Sequence, residues 1–272
     1  MPTLNIDDQN GLYYEHTPPA RDGAVTFVFV NPITGDVGLW NASVVPALQA
    51  AGFGTLVYNA RGQANSPYAQ GTDLTADLIV ADLQRLLSEL APSRPVIAGL
   101  SIGGLYAARA VLAGSRVEGL VLINTLRRLT PRVAWMNDAT LRVMEVGGPN
   151  LMKDMFFHLI LNEDWQAAHR AEHFAAQPDY TPLPKDSGAY NLITWMCKTT
   201  WDIPWHELDL PILVISGTQD RVFYDENNVA ELFASLPQAT RIDMHDAGHM
   251  IPMERPKAFT GALEEFGRTF EH

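Results

Sequence analysis

The sequence predicts an α/β protein: a doubly wound, mostly parallel sheet of eight strands with a helical lid inserted after the sixth. Short apolar, β-branched runs alternate with amphipathic helical stretches over most of the chain. One long segment, residues 126–208, interrupts that alternation with helical, proline-dotted sequence. A glycine-flanked serine stands midway along, between one strand pattern and one helix pattern.

The elements read off in order. "LNID" and "LYYEHT" flank "DQNG", whose Asn10-Gly11 pair suits a hairpin turn. "AVTFVFVN" (24–31), "TLVYNA" (55–60), "PVIAGLS" (95–101), "GLVLIN" (119–124), "PILVISG" (211–217) and "TRIDMHD" (240–246) follow. Most are apolar on both faces, as parallel strands covered on both sides must be. Between them, "LTADLIVADLQRLLSEL" repeats Ile79, Leu83, Leu86, Leu87 and Leu90 at helical spacing. "YDENNVAELFASLP" and "RPKAFTGALEEFGRTF" follow the same rule, with acidic or proline start signals. Alternating units of this kind imply right-handed crossovers. The chain therefore divides into a core, residues 1–125 and 209–272, and a helical lid subdomain, residues 126–208.

Within 126–208 stand prolines 131, 149, 178, 182, 184 and 204 and five of the six tryptophans. Met144, Met152, Met155, Met196 and Phe157 add to its apolar content. A helical subdomain with its own small core explains that composition. A lid whose inner face lines a substrate pocket explains it too, and the two readings are compatible. The pocket candidates are Trp135, Met136, Phe156 and Trp195, joined by Trp40 after the third strand, for which a core role is equally open.

The bulk numbers exclude more than they identify. The chain has 272 residues, 47% hydrophobic and 18% charged, as an ordinary globular protein does. A net charge of −12 argues against nucleic acid and anionic membrane surfaces as partners. A single cysteine, Cys197, rules out an intramolecular disulfide and a cysteine-based zinc site. "MPTLNIDDQNG" has neither a basic stretch nor an apolar one, so no signal peptide is expected. No apolar run approaches the roughly 20 residues of a membrane span. The expectation is a cytoplasmic protein, either a monomer or a homodimer.

Residues 96–110, "VIAGLSIGGLYAARA", pose the chemical question. Gly99-Leu100-Ser101-Ile102-Gly103 matches Gly-x-Ser-x-Gly in the strand-then-helix context that gives the pattern meaning. Such a turn forces the serine into strained dihedrals, and its glycines let neighbouring chains approach closely. The hydroxyl then stands at a helix N-terminus, where N–H groups can stabilise an oxyanion. In isolation, a glycine-rich turn with a capping serine would read the same. A nucleophilic serine also needs a base, and the base an orienting carboxylate. Asp220 lies just past the strand in "VISGTQDRVF", and His249 follows the last strand in "DMHDAGHMIPMERP". The order Ser, Asp, His with a helical insertion between is a hydrolase pattern.

The competing residues are weaker. His245 falls within the last strand pattern, while His158, His169, His173 and His206 fall in the lid. Asp243 and Asp246 are too close in sequence to His249 to orient it from another strand's end. The strand before the lid ends in Asn124-Thr125, which offers no carboxylate.

With "NPITGDVGLW", "NARGQANSP", "GLSIGG" and the paired "GTQDRV" and "DAGHMIPMERP", the chain resembles the α/β-hydrolase superfamily over essentially its whole length. Within it, "GLSIGG" and the asparagine-led loop are similar to the 3-oxoadipate enol-lactonase and small-esterase branch. The family usually has His-Gly at its oxyanion loop, where this chain has Asn31-Pro32. Pro32 has no N–H, so the resemblance implies donors at Ile33, or failing it Thr34, and Ile102. The family's acidic-Arg-Gly-His-Gly stretch reads Asn59-Ala60-Arg61-Gly62-Gln63-Ala64, a change with no evident catalytic meaning. Arg61 is open to bracing that turn or to a plain surface role.

The expected protein is a serine hydrolase acting on small carboxylic esters or lactones with an apolar part. Its residues are Ser101, His249 and Asp220, with no metal and no cofactor. A carbon–carbon bond hydrolase would keep the triad and add a carboxylate-binding group, for which Arg127, Arg128 and Lys198 are candidates. A cofactor-free perhydrolase would differ only in pocket shape. A ligand receptor with a slow triad is a third rival, which nothing in the sequence favours.

Overall fold

The computed structural model describes residues 2–174 and 179–271. The apolar runs become eight strands: β1 (Thr3–Asn5), β2 (Gly11–Thr17), β3 (Thr26–Val30), β4 (Gly54–Tyr58), β5 (Pro95–Leu100), β6 (Gly119–Ile123), β7 (Ile212–Gly217) and β8 (Ala239–Met244). The helices are α1 (Gly38–Asn41), α2 (Val44–Ala50), α3 (Ala76–Leu90), α4 (Ile102–Leu112), α5 (Pro131–Ile160), α6 (Glu163–His173), α7 (Gly188–Lys198), α8 (Glu226–Ala234), α9 (Ile251–Glu254) and α10 (Pro256–Arg268). All strands join one sheet in the order β1-β2-β4-β3-β5-β6-β7-β8. The β1–β2 and β2–β4 pairs are antiparallel and the rest parallel.

Alternation along each strand sends side chains to two separate cores. Val28, Val30, Leu56, Ile97, Leu120, Leu122 and Val214 face the side covered by α3, α4 and α8. Phe27, Phe29, Val57, Val96, Ala98, Val121 and Ile215 face the side covered by α2 and α10. Strand order reverses at β3, which has β4 on one side and β5 on the other. In open α/β sheets a crevice forms at such a switch point, at the carboxyl ends of the strands. Here it lies between Asn31, after β3, and Ser101, after β5.

Two details differ from the sequence reading. Asn10-Gly11 is not the hairpin's two-residue turn, because Gly11 already pairs with Asn5. The Asp7 carboxylate organises a longer loop by accepting from the N–H groups of Gln9 and Asn10, both at 2.9 Å. The stretch 126–208 holds, among the described residues, helices and no strand, but its apolar residues do not form a core apart. Met144, Leu192, Ile193, Met196, Trp201 and Trp205 join the core on the α3–α4 face. Pro149 stands at a break within α5. It follows Gly148 (φ 62°), and the two bend α5 sharply. Pro178 lies outside the described residues.

Arg61 proves structural. Its guanidinium makes a two-pronged ion pair with Asp82 on α3, with Nε 3.0 Å from Oδ2, and both side chains are buried. Burial pushes the Asp82 carboxyl up from its ordinary value, and Arg61 opposes that shift. Breaking a buried pair on one side leaves an uncompensated ion, which costs about 3–5 kcal/mol. Asp82→Asn should therefore lower the unfolding free energy measured in urea by a matching amount, and Asp82→Asn with Arg61→Met should recover part of the loss.

Candidate active site

The serine is held by contacts only glycine permits. Ser101 adopts φ 58°, ψ −122°, a strained conformation for a residue with a side chain. A Cβ on Gly99 would strike the backbone of Gly103, and one on Gly103 would strike the Val30 carbonyl at the end of β3. A Cβ on Gly104 would strike the Thr125 side chain. The turn is thus wedged between β3 and β6. Its backbone is also tied: Ser101 N–H donates to Ile123 O at 2.8 Å, and Thr125 Oγ1 donates to Ser101 O at 3.1 Å. The Ser101 residue is 7% exposed, at the base of the crevice.

Asp220 and His249 meet as the sequence implies. The loop after β7 folds back so that Val222 and Phe223 N–H both donate to Asp220 Oδ1 at 3.0 Å. The other oxygen, Oδ2, lies 2.6 Å from His249 Nδ1. Each carboxylate oxygen is thereby occupied, and both side chains are buried. Such an arrangement fixes which imidazole nitrogen carries the proton when the ring is neutral. The Phe223 ring packs 4.9 Å from the imidazole, centroid to centroid.

The loop carrying His249 is anchored at several points. Glu254 accepts from Gly248 N–H (2.9 Å), Met250 N–H (2.8 Å) and both the backbone N–H and the side-chain amide of Asn162 (2.6 Å each). Asn124 Nδ2 donates to Gly248 O and His249 O. His249 N–H donates to Ile160 O at 2.6 Å, and Arg221 N–H donates to Leu159 O at 2.9 Å. The end of α5 is therefore stitched to both the histidine loop and the aspartate loop. Asn162 and Glu254 were not singled out from sequence. The Asn-x-x-Trp start of α6, capped by Asn162, is the signal that was available.

Ser101 and His249 share this cluster but, among the described residues, no hydrogen bond joins them. Ser101 Oγ instead accepts from the Arg127 guanidinium at 3.2 Å. Catalytic hydrogen bonds are often long without substrate. Arg128 and Lys198, considered beside Arg127, point elsewhere: Arg128 to Glu231, Lys198 over the Trp195 ring.

The loop after β3 is braced from behind. Asn31 is buried; its amide donates to Tyr58 O at 2.8 Å and Gln63 Oε1 at 3.1 Å, and its oxygen accepts from Trp40 Nε1 at 2.7 Å. Gln63 Nε2 donates to Pro32 O at 3.0 Å. The residue standing where the family has histidine thus positions the loop bearing Ile33, a function the sequence reading of that turn missed. Ile102 opens α4 and is buried, and Ile33 is partly buried against the same core.

The pocket candidates need correction. Trp40 is fully buried between Phe29 and Phe259, so it is a core residue. Trp135 is 80% exposed on α5, because its helical position faces outward from the sheet. Met136, Phe156 and Trp195 are half-buried, and the cavity of about 330 Å³ between α5 and α6 lies apart both from them and from Ser101, Asp220 and His249. That cavity is lined instead by Phe157, His158, Leu161 and Trp165 among others. His245 is exposed beside Thr218, and His169 stacks on Trp165. Asp243 pairs with Arg241, and Asp246 with Arg255. No described helix is long and apolar enough to cross a membrane.

Residues 27–262 match the model of the alpha/beta hydrolase family. The chain belongs to that family. This hydrolase is 26% identical over 250 residues to the Mycobacterium tuberculosis protein named "Putative non-heme bromoperoxidase BpoC", covering 88% of this chain and 92% of the relative. Its fold is similar to a thermophilic esterase from Thermogutta terrifontis (TM-score 0.79, 22% identity, 99% of this chain and 97% of the other). It is equally similar to the enol-lactonase from Burkholderia xenovorans (TM-score 0.78, 24% identity, 97% and 99%).

The anchoring of the histidine loop is testable. Glu254→Gln keeps the volume but turns an amide NH₂ toward N–H donors, leaving buried groups unpaired at about 1–3 kcal/mol each. The variant should lose roughly that much stability in urea unfolding. Its turnover should fall as well, since His249 would no longer be held in place.

Proposed function

We propose that this hydrolase cleaves small carboxylic esters or lactones through an acyl-enzyme on Ser101. Ser101 Oγ attacks the carbonyl carbon while His249 Nε2 accepts its proton. Asp220 holds the imidazole by Nδ1 and stabilises the imidazolium that forms. The N–H groups of Ile33 and Ile102 hold the tetrahedral oxyanion. The imidazolium then protonates the leaving oxygen and the C–O bond breaks. Water, deprotonated by His249, attacks the acyl carbon and frees Ser101. Every step uses side chains and backbone, without metal or cofactor.

The observation that carries this reading is the Asp220–His249 contact at 2.6 Å beside a strained serine. A buried carboxylate with one oxygen on two N–H groups and the other on an imidazole has no better explanation than orienting that ring. The helical segment 126–208 serves as the lid, because its α5 end is hydrogen-bonded to both loops that carry the acid and the base. The enol-lactonase and esterase likenesses agree with ester or lactone chemistry on this fold, though fold alone does not select a substrate.

A fluorophosphonate probe should label the wild-type protein at Ser101 alone. Ser101→Ala should abolish labelling and reduce ester turnover by about 10⁴-fold or more while circular dichroism stays native. Retained turnover in that variant would sink the assignment. Asp220→Asn should depress kcat by a comparable order. Asp243→Asn and Asp246→Asn, which only lose surface pairs, should stay near wild type. Equal losses at all three positions would show that the acid lies elsewhere.

A further inference from the structure

Arg127 takes no part in the steps above, yet it lies against the nucleophile. The side chains of Asn124 and Thr125 tie the chain after β6 to the histidine loop and to the serine turn. Arg127 follows two residues later and is carried over Ser101. The residue is 6% exposed. Its guanidinium lies 3.7 Å from the centre of the Trp201 ring and 4.5 Å from that of Phe223. Stacking of this kind fixes the plane of the group and leaves its edge free for hydrogen bonds.

That edge is incompletely used. One NH₂ meets Ser101 Oγ, while Nε and the other NH₂ are buried with no hydrogen-bond partner. Among the described residues no carboxylate forms an ion pair with it. Asp220 is near enough to act on its charge, but its two oxygens already serve His249 and two N–H groups. A buried cation without an anion is costly, and proteins rarely keep one without use. Burial pushes its pKa down to about 9, so it remains charged at neutral pH.

We propose that Arg127 binds a carboxylate of the substrate, so that this hydrolase acts on monoesters of short dicarboxylic acids. The claim rests on Ser101 being the nucleophile. The guanidinium touches Oγ, which sets the length. A reacting carbonyl carbon sits about 3–3.5 Å from Oγ, and a carboxylate oxygen about 2.7–2.9 Å from the guanidinium nitrogens. The carboxylate therefore lies roughly one to three carbon atoms from the carbonyl that is cleaved. Malonic and succinic monoesters fit that span, whereas long neutral acyl chains would strand the buried cation.

The test pairs substrates of equal length, monoethyl succinate and ethyl pentanoate, followed by titration of released acid. The wild type should favour the succinate by about tenfold or more in kcat/KM, and Arg127→Gln should erase that preference by cutting succinate turnover about 100-fold. Arg127→Lys should restore part of it. A second measurement stands apart from turnover: succinate should bind the Ser101→Ala protein in calorimetry and fail to bind when Arg127→Gln is added. Should Arg127→Gln not fold, the wild-type preference and the Ser101→Ala binding decide the matter. Equal losses on both esters in Arg127→Gln would mean that Arg127 stabilises the oxyanion, and would overturn the carboxylate site. So would a wild type that prefers the pentanoate. If that happens while fluorophosphonate still labels Ser101, the hydrolase reading stands and only the carboxylate site falls. If labelling and turnover are both absent, the hydrolase reading falls, and succinate binding alone decides whether Arg127 holds an anion.

Discussion

The site depends on one steric constraint: the turn after β5 packs against β3 and β6 more closely than any side chain allows. Gly99, Gly103 and Gly104 each occupy a place where a Cβ would overlap backbone or the Thr125 side chain. That approach forces Ser101 into a left-handed conformation, at a cost of order 1–3 kcal/mol. The surrounding sheet sustains the strain because its central strands are buried on both faces. With the turn in place, the serine hydroxyl, the first N–H of α4 and the loop after β3 converge on one crevice. A looser turn would leave the same residues present but scattered.

The second dependence is electrostatic. Asp220 and Glu254 are buried carboxylates, and each is matched by donors from a different part of the chain. Glu254 draws in Gly248, Met250 and the start of α6, while Asp220 draws in His249 and its own loop. Buried anions satisfied in this way resist rearrangement, since any opened contact leaves an unpaired group in a low dielectric. The consequence is a base whose position is set from three directions. Movement of the helical segment would have to respect the bonds from Leu159, Ile160 and Asn162. The end of α5 is therefore a fixed point, and the bend at Gly148-Pro149 is where that helix departs from regular geometry.

Much of this was legible in the sequence because the signals are periodic or local. All eight strand patterns form strands; the central ones do so because a β-branched apolar run in a parallel sheet has nowhere else to be buried. Ser101, Asp220 and His249 could be named because each sits just past a strand end, where the fold must deliver it. Long-range polar pairing was not legible. Nothing in the spacing of Gln63 says that its amide meets Pro32 O, nor does Glu254 announce four donors. Trp40 and Trp135 failed as pocket residues for a related reason. Composition shows that 126–208 is rich in tryptophan, but only helix orientation decides that Trp135 faces water while Trp201 stacks on Arg127.

Arg127 also shows why an apolar inventory misjudges a site. Counting aromatic and methionine side chains in the helical segment suggests a greasy pocket closed over the serine. The aromatic rings against Arg127 are engaged differently: Trp201 and Phe223 stack on its guanidinium and keep water from it. Exclusion of water is what gives such a charge its strength, since attraction between opposite charges grows as the local dielectric falls. It is also what makes the unpaired charge unfavourable, because the same rings that sharpen the cation deprive it of solvent. A ligand carboxylate would relieve that penalty at the moment it binds. Strain in Ser101 and unpaired charge in Arg127 are then two forms of one design, in which the folded protein holds unfavourable groups ready for a partner that completes them.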